Sequence, residues 1–213
     1  MKPRLIVFAS GTETGGGSGF ENLVAASQGG TLDAEIVAVV SNHANGGVRE
    51  RADRLNVPFV HFPAPWGSED YRTIVSGFRP DHIALSGWLK MVSGLDPKIT
   101  FNIHPGPLPR FGGPKMFGHH VHKAVLAAYR ACTIRHSAVS MHFVTEEYDK
   151  GPVFFKMPVN VYSDDTVDAV GSRVNNVEHL WQPVITNLVV HGQISWDGQN
   201  PNSLRVPKDY QYL

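Results

Sequence analysis

The chain has 213 residues, 42% hydrophobic and 18% charged, which suits a folded domain and excludes a disordered or coiled-coil composition. Its 19 Lys and Arg balance its 19 Asp and Glu, so it lacks the basic excess needed for a broad grip on a phosphate backbone. One cysteine, Cys132, allows no intrachain disulfide, and the apolar run 5–9 is too short for a signal core or a membrane span. A soluble cytoplasmic protein with small-molecule substrates, and neither nucleic acid nor membrane as partner, is expected.

Strand and helix signals alternate along the chain. Residues 5–9 form a short apolar run closed by Ser10 and Gly11, and residues 35–41 form a second. Runs at 58–62, 82–85, 101–103, 139–144 and 153–159 complete a set of strands. Continuous apolar runs of this length, bounded by turn residues, suit strands covered on both faces. Between them, 20–27, 48–56, 70–78 and 121–129 read as helices. The strongest helical period lies near the C-terminus, where Val167, Val170, Val174, Val177, Leu180, Trp181, Val184 and Leu188 follow a cap at Ser163-Asp164-Asp165-Thr166. Pro183 is expected to kink or interrupt that helix, because it has no N–H and crowds the preceding turn. The tail from Gly192 reads as a small hairpin around Asp197-Gly198. The alternation predicts an α/β fold, a Rossmann-like, mostly parallel sheet with helices on both faces. Ligands of such sheets bind beyond the carboxyl ends of the strands, here near Ser10 and His104.

Two segments there carry chemistry. Ser10 to Phe20 is a glycine-rich loop between a strand and a helix, and Gly17-Ser18-Gly19 could turn backbone N–H groups toward a phosphate. Its spacing matches neither the dinucleotide fingerprint nor the P-loop, and a flexible surface loop is the alternative. Asn102 and His104 alternate onto one face of a strand that stops at Pro105. An amide donor beside an imidazole can stabilise an oxyanion and move a proton. The alternative is a core histidine bonded to a loop carbonyl. Asp149, before Lys150-Gly151-Pro152, would favour the imidazolium form of His104 if the two meet, and is otherwise a turn residue.

Together these segments resemble the glycinamide ribonucleotide formyltransferase family, folate-dependent enzymes of purine synthesis. The family's Asn-Ile-His-Pro-x-Leu-Leu-Pro stands here as Asn102-Ile103-His104-Pro105-Gly106-Pro107-Leu108-Pro109, and its His-Phe-Val-x-x-x-x-Asp-x-Gly-Pro as His142-Phe143-Val144 with Asp149-Lys150-Gly151-Pro152. The resemblance implies one formyltransferase domain over 1–213, with a nucleotide-binding half at about 1–100 and a folate and catalytic half at about 101–213. It implies transfer of the formyl group of 10-formyltetrahydrofolate, a co-substrate, to the amine of 5'-phosphoribosylglycinamide, without a metal. Asn102, His104 and Asp149 would be catalytic. Gly17, Ser18, Gly19, Phe20 and Glu21 would hold the acceptor's phosphate, and Asn175, Asn176, Val177 and Glu178 its glycinamide part. Leu89, Lys90, Met91 and Val92 would wall the folate ring opposite Thr145, Glu146, Glu147, Tyr148 and Asp149, with Asn102 also in contact.

Two loops depart from the family pattern. Its Ser-Gly-x-Gly-Ser-Asn loop is stretched here by residues 12–16 and ends in Gly19 instead of Asn, and the loop 110–120 is longer. His119, His120 and His122 begin a predicted helix beside the nucleotide pocket. His120 and His122 would diverge by about 200° on it at roughly 3.6 residues per turn; His119 and His122 stand three apart, the spacing of a helical zinc pair, but no cysteine is near, and a metal is not expected. The competing functions are a formyltetrahydrofolate hydrolase, transfer to an amino sugar nucleotide or to methionyl-tRNA, and a non-catalytic nucleotide-binding module.

Overall fold

In the computed structural model, which describes residues 1–213, seven strands join in one sheet. They are β1 (Arg4–Phe8), β2 (Glu35–Ser41), β3 (Phe59–His61), β4 (His82–Ser86), β5 (Thr100–His104), β6 (Ser137–Phe143) and β7 (Val153–Val159), in the order β3-β2-β1-β4-β5-β6-β7. Neighbours from β3 through β5 pair in parallel, and β6 and β7 add antiparallel. The mostly parallel sheet is as expected. Its antiparallel edge was not legible, because a buried apolar run carries no direction.

Five helices cover the sheet: α1 (Ser18–Gly29), α2 (Gly47–Leu55), α3 (Ser68–Phe78), α4 (His119–Arg130) and α5 (Val167–Val190). Alternation along β1 sends Leu5 and Val7 to one face, under Phe20 and Leu23 of α1, Val121 of α4 and Val174 of α5. Ile6 and Phe8 go to the other face, against Tyr71 of α3 and Trp88. Full burial of each such side chain contributes about 1.5–3 kcal/mol. The chain reverses its winding between β1 and β4, which opens a crevice at their carboxyl ends. No helix is long and apolar enough to cross a membrane.

Two expectations need correction. Pro183 does not interrupt α5, which runs through it for 24 residues. Proline leaves the carbonyl four residues earlier without its helical donor. That carbonyl, on His179, accepts instead from Asn22 Nδ2 of α1 at 2.7 Å. The helix is rescued by its neighbour, an arrangement that local sequence cannot disclose. The tail is not a regular hairpin either. It makes one antiparallel bridge, Ser195 with Arg205, around a 3-10 turn at Pro201–Ser203, because Asp197 turns back to accept from the N–H groups of Gln199 and Asn200.

Candidate active site

The crevice holds a cavity of about 350 Å³. Its wall combines the start of α1, the ends of β4 and β5, the loop 113–118 and one stripe of α5. Asn102 and His104 enter it together because they alternate with Phe101 and Ile103, which face the core on the opposite side of β5. Asp149 arrives from the loop after β6, in a left-handed conformation at φ 54°.

The three residues meet through a fourth. His142 lies opposite Asn102 in the β5–β6 register. His142 Nδ1–H donates to the Phe143 carbonyl at 2.8 Å, since a carbonyl can only accept. In the neutral ring Nε2 is then an acceptor, and it takes a hydrogen from Asn102 Nδ2 at 3.1 Å. This fixes the amide's orientation and leaves Asn102 a second N–H to offer. His142 Nε2 also lies 3.4 Å from Asp149 Oδ1, while Asp149 Oδ2 lies 3.8 Å from His104 Nδ1 and accepts from Gly113 N at 2.8 Å.

His104 makes the loop-carbonyl bond of the alternative reading. It is 3% exposed and its Nε2–H donates to the Phe111 carbonyl at 2.8 Å, as a core histidine would. That bond commits the proton to Nε2 and turns Nδ1 toward Asp149. Burial pulls the His104 imidazole below its ordinary value, and Asp149 offsets this only in part. Burial and the Asp149 carboxylate thus act on this ring in opposite directions. Burial pushes the Asp149 carboxyl up, but His142 and His104, each acting in its protonated form, and the Gly113 amide together hold it below the usual range.

The expected acceptor residues divide by helical phase. Gly17, Ser18 and Gly19 line the cavity, and Gly17 at φ 82° takes the left-handed cap that leaves α1's first amides open. Phe20 does not, because its side chain is fully buried in the core. Glu21 turns away to pair with Arg51 at 2.7 Å and with Arg54, which depress its carboxyl. On α5, Gly171, Asn175, Glu178 and Gln182 share one stripe on the cavity. Asn176 is exposed and Val177 packs on the core, so neither lines it. Burial pushes the Glu178 carboxyl up to about 7, with Asn175 opposing.

A slot of about 50 Å³ adjoins Asn102 and is lined by Lys90, Met91, Val92, Thr145, Glu147, Tyr148 and Asp149. Leu89 faces the larger cavity, and Glu146 a separate one of about 300 Å³ beyond Val92. The 89–92 wall is tied down from behind. Trp88 Nε1–H donates to the Tyr71 hydroxyl at 2.8 Å, which donates to the Met91 carbonyl at 2.9 Å, and Leu89 N–H donates to Ser10 Oγ at 3.0 Å.

Of the three helix-start histidines only His122 lines the main cavity. His120 stacks edge-on against Phe117, and His119 is exposed. Burial, helped by His119 and His104, pushes the His122 imidazole down to about 4, and its Nδ1 has no protein partner. The folded chain keeps this ring neutral where the unfolded chain, at about 6.5, takes a proton. Stability is thus complete above that value and falls as pH drops from it toward 4. Between about pH 7 and pH 5 the His122 share of the loss should be on the order of 2 kcal/mol, and His122→Phe should shrink the total by that amount, leaving the shares of His82, His104 and His179, which burial also lowers. Urea unfolding at both pH values checks this; equal losses in the two proteins would exonerate His122.

Sequence reasoning missed Ser86, Gln182, the Phe111 carbonyl and the Gly113 amide. The last two are backbone groups of the lengthened loop and have no sequence signature.

A half-buried amide, a buried imidazole and a half-buried carboxylate thus meet at the crevice, a set that can stabilise an oxyanion and move a proton, as transfer of an acyl group requires. The sequence model of the formyl transferase family matches residues 3–186, and the chain belongs to that family. Its relatives narrow this. Phosphoribosylglycinamide formyltransferase, chloroplastic, of Vigna unguiculata is 32% identical over 94% of this chain and 68% of its own. Phosphoribosylglycinamide formyltransferase of Bacillus subtilis is 28% identical over 85% and 92%. The crystal structure of glycinamide ribonucleotide transformylase 1 from Geobacillus kaustophilus, 29% identical, superposes with a TM-score of 0.74 over 89% of this chain and 100% of that one. Within the family, the chain belongs with the phosphoribosylglycinamide formyltransferases, as its motifs indicated.

Proposed function

We propose that this protein transfers the formyl group of 10-formyltetrahydrofolate to the amine of 5'-phosphoribosylglycinamide, a step of purine synthesis. The observation that carries this reading is the convergence of Asn102, His104 and Asp149 between two recesses, one ending at α1's amides and one at the 89–92 wall. In this reading the chain works as one domain, with the phosphate end on 1–100 and the reacting centre on 101–213. The acceptor's phosphate sits on the backbone of Gly17, Ser18 and Gly19. Asn175 and Glu178 face its glycinamide part. The folate ring lies between Leu89, Lys90, Met91 and Val92 and the loop Thr145, Glu147, Tyr148 and Asp149.

Holding both substrates side by side supplies orientation. The amine nitrogen attacks the formyl carbon, and its lone pair forms the new C–N bond as the carbonyl becomes an oxyanion. The free N–H of Asn102 donates to that oxygen. The imidazolium form of His104, which Asp149 stabilises, donates as well. The attacking nitrogen then loses its proton, the folate nitrogen gains one, and the C–N bond to folate breaks. Fixed donors carry the charge, so the steps call for no metal. The cytosol suits a chain whose one cysteine, Cys132, is exposed and unpaired.

The test is folate turnover with and without the acceptor. Turnover only when 5'-phosphoribosylglycinamide is present supports the reading. Turnover without it points to a hydrolase, and turnover only with an amino sugar nucleotide points to another acceptor.

A further inference from the structure

Gln182 is a buried carboxamide on the cavity wall that the mechanism above does not use. It is 1% exposed and lies one turn beyond Glu178 on the same stripe of α5. Its Oε1 accepts from the hydroxyl of Ser86, at the end of β4, at 3.3 Å. That is the one hydrogen bond its amide makes within the protein, so both Nε2 hydrogens lack a protein acceptor at the cavity surface. The Nε2 opens on the cavity, where an oxygen of a bound ligand can supply the missing acceptor.

Position 19 shows where this pair is directed. A Cβ on Gly19 would meet Ser86 Oγ at 2.2 Å and Gln182 Oε1 at 3.2 Å. Ser86 and Gln182 therefore reach α1's first turn only because residue 19 is glycine. The asparagine that the family loop places there has no room. The cap of α1 makes no side-chain hydrogen bond, so the helix offers open backbone donors beside the carboxamide.

We propose that Gln182, positioned by Ser86, binds the phosphate-bearing end of the acceptor, its Nε2 donating to an oxygen of a sugar phosphate seated on α1's first turn. Gln182 is the binding residue, and Ser86 acts through it. The inference rests on the proposed function for the name of the acceptor, but its chemistry requires only a sugar phosphate.

The test is calorimetric binding of 5'-phosphoribosylglycinamide, ribose 5-phosphate and 10-formyltetrahydrofolate to the full chain. Gln182→Met keeps the volume and removes the donor. It should weaken both sugar phosphates about tenfold and leave folate affinity unchanged. Ser86→Ala, which frees the carboxamide to rotate, should weaken them about threefold. Unchanged sugar-phosphate affinity in Gln182→Met, or equal weakening of the folate, would overturn the proposal by reducing Gln182 to a structural role. If Gln182→Met does not fold, an unaltered Ser86→Ala would overturn it. A wild-type chain that binds ribose 5-phosphate but not 5'-phosphoribosylglycinamide would sink the acceptor reading and leave Gln182 to be judged on ribose 5-phosphate. Failure to bind either sugar phosphate would sink both.

Discussion

Asn102→Ala should lower kcat by about 10²–10³-fold while changing KM for either substrate little. Asn102 is half-buried at the end of β5, and His142 holds its amide so that one N–H faces the cavity. A donor fixed in this way needs no reorganisation as the carbonyl oxygen gains charge, so its effect falls mainly on the transition state. Alanine removes the donor without disturbing the strand, because β5 is held by backbone pairing to β4 and β6. His142 keeps Asp149 as a neighbour at 3.4 Å. Steady-state kinetics at saturating concentrations of both substrates check the prediction. A change confined to KM would make Asn102 a binding group instead.

Asp149→Asn should cost about 10²–10⁴-fold in kcat and move the alkaline fall in activity to lower pH. The sign follows from the two ionisations. Burial already depresses the His104 imidazole, and the Asp149 carboxylate is the group that opposes this. Without that charge, protonation of His104 needs a lower pH, so activity that depends on the imidazolium is lost earlier as pH rises. The carboxamide still accepts from Gly113 N–H, and the loop should stay in place. A pH–kcat profile of both proteins reads the shift. An unshifted profile with a lower plateau would show that Asp149 positions the site without tuning His104. The same variant should be less sensitive to acid unfolding. A carboxylate held below its ordinary range stabilises the fold above its unfolded value, and this is lost as pH falls through the folded one.

Much of this site could be read from the chain because its parts are local. Strand alternation puts Asn102 and His104 on one face whatever the rest of the fold does. Glycine-rich sequence between a strand and a helix marks open amides wherever it occurs. What could not be read depends on phase or on long-range contact. A contiguous stretch, Asn175 through Glu178, cannot all face one cavity on a helix, so Asn176 and Val177 leave it while the distant Gly171 and Gln182 join it. Phe20 and Glu21 fall out for the same reason on α1. The order of strands, the antiparallel edge and the rescue of Pro183 by Asn22 all rest on partners far away in sequence. The burial of His104, unlike its neighbour Asp149, leaves no mark in the motif.

Formyl transfer through His104 is read most directly from the mass of the acceptor after incubation with 10-formyltetrahydrofolate, using wild type and His104→Ala at equal concentration. 5'-phosphoribosylglycinamide should gain one formyl group, at a rate roughly 10²–10⁴-fold lower in the variant. Consumption of the folate with no mass gain on the acceptor, or equal rates in the two proteins, would contradict formyl transfer through His104.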